Sequence, residues 1–263
     1  HRTHAIIINY LIAFLTGCMM EGGIPNLSYV SQQKWFIYAL LLGGLFIVMF
    51  NILAITSQNN GLGVAAVASK MSLIIPVIAG IVLYQEQLVW LQYTGIILAL
   101  VSVYLTSLKE DSALNKVKNQ LLWPLLLFIG SGAIDTLIKL AQNNYLNPSE
   151  GPLFSSMCFI TAFCIGIVLL IRDYLNGNPL TMKSILAGLV LGVPNYFSIY
   201  FLIKTLQTGI ASSVIYPINN VGTVILTTLL GILIFKERIS KKNAIGVIIA
   251  IIAIACIAFA KAY

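Results

Sequence analysis

The sequence predicts an all-α polytopic membrane protein, built as inverted five-helix repeats with nine transmembrane helices present of an expected ten. Three observations carry this expectation. Hydrophobic residues make up 59% of the 263 and charged residues only 9%, against roughly 25% charged in globular chains, and the mean hydropathy is +0.95. The apolar runs are about 17–25 residues long, enough for a helix to cross about 30 Å of hydrocarbon, whereas barrel strands would be short and alternating. Finally, Gly80-Ile81-Val82-Leu83-Tyr84-Gln85-Glu86 with Gly95 recurs as Gly231-Ile232-Leu233-Ile234-Phe235-Lys236-Glu237 with Gly246, at a constant offset of 151 residues. Two copies at one offset mean an internal duplication.

Nine runs of spanning length follow along the chain: 5–20, 35–56, 61–83, 88–107, 121–143, 153–172, 183–206, 209–235 and 242–261. The first ends at Glu21-Gly22-Gly23, and Lys34 precedes the second. Gly61 opens the third, which closes at Gln85-Glu86-Gln87. The fourth gives way to the most charged loop, 109–119, a natural boundary between halves. Arg172 and Lys183 mark the turn between the sixth and seventh runs, Gly209 opens the eighth, and Lys236 to Lys242 separates it from the last. Shifting the last four runs back by 151 places them at 2–21, 32–55, 58–84 and 91–110, each on an observed run. Ala13-Phe14 and Gly17 echo Ala162-Phe163 and Gly166 at an offset slipped by two. Only 121–143 lacks a partner, and its counterpart would precede residue 1. The expected organisation is therefore 1–108 as a first repeat lacking its first helix, 109–119 as the inter-repeat loop and 120–263 as the second repeat. Five helices per repeat is an odd number, so the second copy enters the membrane from the opposite face.

Positive loops are retained on the cytoplasmic side. Arg2, Lys109, Lys116, Lys118, Arg172, Lys183, Lys236, Arg238, Lys241 and Lys242 fall on one side and Lys34, Lys204 and Lys261 on the other, which places 109–119 in the cytoplasm and the C-terminus outside. The net charge of +7 is thus a topology signal rather than a nucleic-acid footprint. Cys18, Cys158, Cys164 and Cys256 all lie within apolar runs without metal-ligand spacing and read as small buried hydrophobes. The first residues contain no basic segment followed by a cleavage site, so no signal peptide is expected there.

A charge in hydrocarbon carries a penalty of at least about 2.5–3.5 kcal/mol on insertion scales, so each one needs a reason. Lys70 lies nine residues into its run, roughly 14 Å deep at about 1.5 Å per residue, near the midplane, with Ser72 beside it. The corresponding depth of the other repeat holds Tyr216, Pro217, Asn219 and Asn220, where proline removes a backbone hydrogen bond and can open the helix. Midplane polarity at a repeat interface is where transporters of this build place substrate; the alternatives are that Lys70 ties to a helix carbonyl or to an acid, Asp135 across the halves included, and only fixes packing, or that it titrates as the coupling group. Asp135 and Lys139 stand four apart, the favourable order for an intrahelical pair, and serve either as a self-neutralised pair or in substrate or proton handling. Asn195 and Tyr196 follow Pro194 in mid-run, lining a cavity or marking a kink. Glu86 and Glu237 precede the last helix of each repeat, where acids suit helix N-termini, and are read as structural. No Ser-His-Asp, HExxH, phosphate-loop or paired-carboxylate arrangement occurs in the sequence, so neither an enzyme nor a cofactor nor a metal is expected.

The motif Gly80…Glu86…Gly95 and Gly231…Glu237…Gly246, with Gly61 and Gly209 opening the same helices, resembles the drug/metabolite transporter superfamily in its ten-helix form with two EamA domains. The resemblance covers essentially the whole chain. It implies export or exchange of small metabolites, and it implies both termini in the cytosol, the reverse of the loop-charge orientation. The expected function is a secondary transporter moving a small polar metabolite by alternating access, in the cell (inner) membrane as a multi-pass protein. An amino acid or organic acid is favoured, because Lys70 and Lys139 against Asp135 leave an excess of positive charge that suits a carboxylate. The alternatives are an efflux carrier for lipophilic cations or drugs and a non-transport membrane scaffold or enzyme. Partners are the lipid bilayer, the small-molecule substrate, and a proton or counter-substrate; nucleic acid is not among them, and oligomeric state is left open.

Overall fold

A computed structural model describes residues 2–107, 121–177, 179–233 and 240–259. Within them every regular element is a helix: α1 (Arg2–Glu21), α2 (Leu27–Val30), α3 (Phe36–Asn59), α4 (Leu62–Met71), α5 (Ile74–Leu83), α6 (Trp90–Ser107), α7 (Leu122–Asn144), α8 (Gly151–Leu175), α9 (Met182–Leu206), α10 (Ser212–Leu233) and α11 (Lys241–Ala258). Each expected run is occupied by a helix, with α4 and α5 sharing the third, and the short α2 is added between the first two. Eight spans are long and apolar enough to cross a membrane, and the apolar part of α6, Trp90–Leu105, is shorter. The molecule is thus an all-α polytopic membrane protein. The 109–119 loop and Glu237 lie outside the described residues.

The chain divides into two compact units, and each draws on both halves of the sequence. One is formed by His1–Val48 and Leu137–Gly209. Its core joins Tyr10, Ala13, Ile47, Phe159, Ala162 and Tyr196, and α1 packs on α8 and α9. In lipid there is no hydrophobic force between helices, so close approach depends on small residues that let backbones meet. Here the duplication becomes visible as packing. A Cβ on Gly43 of α3 would lie 2.7 Å from the Cys158 carbonyl of α8 and would strike Thr161; one on Gly192 of α9 would lie 2.9 Å from the Asn9 carbonyl of α1 and would strike Ile12. Gly17 meets Ser156 and Tyr196, and Gly166 meets Ile7 and Ile47. Every glycine and every partner in one set is related to the other by the same slipped offset, 149 residues. The weak echo around Gly17 and Gly166 therefore reports the residues that seat α1 and α8 against their neighbours.

The second unit comprises Met49–Thr136 and Ile210–Tyr263. Its closest pairing is α6 with α11, where Ala99 and Ala250, repeat counterparts at an offset of 151, are both fully buried. A Cβ on Gly95 would lie 2.6 Å from Ile257 Cγ1, so glycine is what allows that approach. Leu73, Val77, Ile96, Val214 and Ile257 form a further cluster that ties α5, α6, α10 and α11 together.

Pro194 and Pro217 do not interrupt their helices: α9 and α10 run through them. The helix that does break carries neither. The run 61–83 stops at Met71 and restarts at Ile74, and the cause is Pro76, which has no N–H to offer the Ser72 carbonyl four residues back and whose ring crowds that carbonyl.

Candidate functional site

The break in the third span shapes the candidate site. Around it the bonds tighten to shorter steps: Ile75 N–H donates to Ser72 O at 2.9 Å, and Ser72 Oγ donates to Ser69 O at 2.6 Å. Lys70 thus stands in the last turn of α4, just before the tightened step. Ser72 and Leu73 keep right-handed helical angles across it, so the span runs from Leu62 to Leu83 with one tightened turn inside it.

Asp135 comes to this point from α7. Three residues before it, Gly132 lets α7 press against α5, since a Cβ there would lie 2.6 Å from Ile75 Cβ. Ala65 and Ala68 of α4 pack on Leu127 of α7, with Ile134 against the same cluster, which brings the segments carrying Lys70 and Asp135 side by side. From α10, Tyr216 Oη donates to the Asp135 backbone carbonyl at 2.6 Å, and Asn220 Nδ2 donates to Tyr216 O at 3.1 Å. Tyr216 is fully buried and Asn220 nearly so, while Asn219 is exposed. Of the residues singled out in the sequence, this unit brings together Lys70, Ser72, Asp135, Tyr216, Asn219 and Asn220. The Ser72 hydroxyl is committed to its own helix.

The remaining three belong to the other unit. Tyr196 is fully buried among aromatic rings, 6.0 Å from Tyr200 and 6.5 Å from Phe159. Asn195 is half-buried, and its carbonyl accepts from Ser198 Oγ at 2.7 Å. Lys139 is buried and donates to Gln142 Oε1 at 3.4 Å. Lys139 is therefore bonded along its own helix to Gln142, and Lys70 is the basic residue that the packing of α4 on α7 brings toward Asp135.

Glu86 is structural in a way the sequence did not foretell. It had been expected to serve the helix that follows it, α6, but the N–H of Val89 there is taken by Gln92 Oε1 at 3.0 Å. Glu86 reaches the start of α10. One carboxylate oxygen accepts from the N–H and hydroxyl of Ser212, both at 2.7 Å; the other accepts from Ser213, at 2.9 Å from the N–H and 2.6 Å from the hydroxyl. Gln85 turns the chain back with a left-handed φ of 54°, a conformation unfavourable for a side-chain-bearing residue. Gly80 leaves room for the carboxylate, since a Cβ there would overlap Glu86 Oε2 and lie 2.9 Å from Ser212 Oγ. The Gly80…Glu86 motif is thus one device, stapling the end of α5 to the N-terminus of α10. Burial pushes the Glu86 carboxyl up, but the bonds from Ser213 and then Ser212 outweigh it and hold the group below the usual carboxylate range.

Comparison with known proteins agrees with the fold. A crystal structure of another protein superposes with a TM-score of 0.76 over 98% of this chain and 89% of that one, at 13% identity. An uncharacterized protein of Haemophilus influenzae is 29% identical over 259 residues, 96% of this chain and 87% of that relative. Residues 119–259, more than half the chain, match the model of the EamA-like transporter family. The chain belongs to the EamA-like transporter family, and its repeated helices are those of a multi-pass membrane transporter.

Proposed function

We propose that the protein is a secondary transporter of the cell's inner membrane that moves a zwitterionic small metabolite, an amino acid above all, by alternating access. One observation carries the reading: α4, which bears Lys70 in its last turn, packs on α7, which bears Asp135, through Ala65 and Ala68 against Leu127, so that the two opposite charges share one region. Neither charge is affordable in hydrocarbon alone, and in the empty site each offsets part of the other's penalty. An α-amino acid presents the same two charges, so it can enter between them with its carboxylate toward Lys70 and its ammonium toward Asp135, replacing one balanced arrangement with another. Asn219, exposed on α10, offers an uncharged hydrogen-bonding group for the rest of the ligand. Polar groups at the interface of inverted repeats are where transporters of this build place substrate.

The test is counterflow exchange in proteoliposomes holding the full-length protein, with zwitterionic, anionic and cationic labelled candidates. The expected result is exchange of zwitterions, reduced at least tenfold in Lys70→Ala and in Asp135→Asn and partly kept in Lys70→Arg, with unchanged gel-filtration behaviour. Exchange of organic acids that ignores Asp135→Asn would replace the amino acid by an acid. Exchange of lipophilic cations that needs Asp135 and ignores Lys70→Ala would replace the whole reading by a cation carrier.

A further inference from the structure

The unit formed by His1–Val48 and Leu137–Gly209 holds a cavity of about 790 Å³ between α3 and α8, lined almost wholly by carbon, with Phe36, Leu40 and Ile47 on one wall and Met157, Ile165 and Val168 on the other. We infer that this groove is a binding site for one phospholipid, its acyl chain between the two helices and its phosphate at Lys34.

Dimensions support this occupant. The α3 wall extends from Phe36 to Ile47, roughly 17 Å at about 1.5 Å per residue, or about one leaflet of a hydrocarbon core about 30 Å thick. Within the cavity there is space for about 26 groups the size of a methylene, at about 30 Å³ each, a water's share of liquid volume, which accommodates one or two long chains. The groove starts at the turn between α2 and α3, at the first residues of the apolar span Phe36–Asn59. Leu27 of α2 lines that end, and α2 is fixed there by Tyr29 Oη donating to Glu150 Oε1 at 3.0 Å, while Glu150 Oε2 accepts from Asn147 N–H at 2.9 Å. Lys34 is exposed and stands two residues before Phe36, the first lining residue of α3, at the end of that span, where a basic side chain attracts a phosphate. The crossing of Gly43 with Thr161 and Cys158 lies beside the groove, so a chain seated there packs against the contact that holds α3 to α8. The site is independent of Lys70 and Asp135, and its test does not depend on transport.

The full-length protein is placed in nanodiscs of phosphatidylethanolamine and phosphatidylglycerol containing a phosphatidylglycerol probe with a diazirine at mid-chain; after illumination, labelled peptides are quantified by mass spectrometry. Labelling of 36–47 and 157–169 is expected at least fivefold above that of 186–193 on α9, which is exposed at Leu186, Leu189 and Val190 but carries no such groove lining. Val168→Trp, which fills the groove from a position 65% exposed, should abolish the excess, whereas Val190→Trp should leave it. Lys34→Glu should lower it several-fold, and Lys204→Glu should not. Even labelling of all lipid-facing helices, or an excess that survives Val168→Trp, would overturn the site. An excess indifferent to Lys34→Glu would overturn the assignment of the headgroup.

Discussion

Replacing Glu86 by alanine should destabilise the protein by about 3 kcal/mol. The carboxylate accepts four hydrogen bonds of 2.6–2.9 Å from Ser212 and Ser213, both fully buried. Bonds to a charged group are worth about 1.5–3 kcal/mol singly, but these four share one half-exposed carboxylate, and loss of an N-terminal cap alone is worth about 0.5–2 kcal/mol. Two stranded backbone donors at a buried helix start bring the total to about 3 kcal/mol, or roughly 6–12 °C at about 2–4 °C per kcal/mol for a chain of this size. The assay is thermal unfolding of the detergent-solubilised protein followed by intrinsic tryptophan fluorescence. Glu86→Gln should lose about half as much, because its amide can accept from one serine but presents a donor to the other. Ser212→Ala and Ser213→Ala should each lose about 1 kcal/mol, since each backbone bond remains. A Glu86→Ala variant melting within 2 °C of the parent would refute the reasoning. The pH dependence has a fixed sign. The folded-state pKa of Glu86 is depressed, so its contribution is complete above the unfolded value and disappears as pH falls through the folded one. The gap between parent and Glu86→Gln should therefore be full at neutral pH and shrink as pH falls below the unfolded carboxylate value and through the folded one.

Three further outcomes are expected. Pro76→Ala restores an N–H for the Ser72 carbonyl, so it should join α4 to α5 and lower exchange at least tenfold without lowering the melting temperature; undiminished exchange would show that the break is dispensable. Gly192→Ala forces a methyl into Ile12 and the Asn9 carbonyl and should reduce stability by about 1–3 kcal/mol, whereas Gly222→Ala, which meets no atom within 4 Å, should be neutral or stabilising by up to about 1 kcal/mol. Gly43→Ala, the repeat counterpart of Gly192→Ala, should match it in size; thermal unfolding of the three variants checks all of this.

How much of this was readable from the residues depends on the range of the interaction. The nine spans were legible because hydrocarbon thickness sets their length and every interruption is polar. Lys70 stood out because charge inside an apolar span is rare. The break beside it was also within reach: Pro76 stands six residues after Lys70, yet Pro194 and Pro217 drew attention, and those helices stay whole. One contact was out of reach. Glu86 bonds to residues more than 120 positions later and leaves no periodicity or spacing, whereas a pairing of Lys70 with Asp135 across the repeats was among the alternatives that their charges alone posed. The glycine pairs Gly17 with Gly166 and Gly43 with Gly192 sit between, since their spacing is plain but their partners emerge only once α1, α3, α8 and α9 are packed.

The staple also constrains which changes the chain can accept, and in what order. Gly80 must be glycine because of what position 86 carries: the atoms a Cβ would strike are the Glu86 carboxylate and the Ser212 hydroxyl drawn to it. Once Glu86 is lost, most of that obstruction goes, and alanine at position 80 should be far cheaper than in the parent, a coupling of about 0.5–3 kcal/mol in a double-mutant cycle. Substitution of the glycine first passes through an overcrowded protein, and substitution of the glutamate first through an uncapped one. Among descendants of this sequence the two residues should therefore persist as a pair or disappear as a pair, and a lineage holding one without the other should be short-lived.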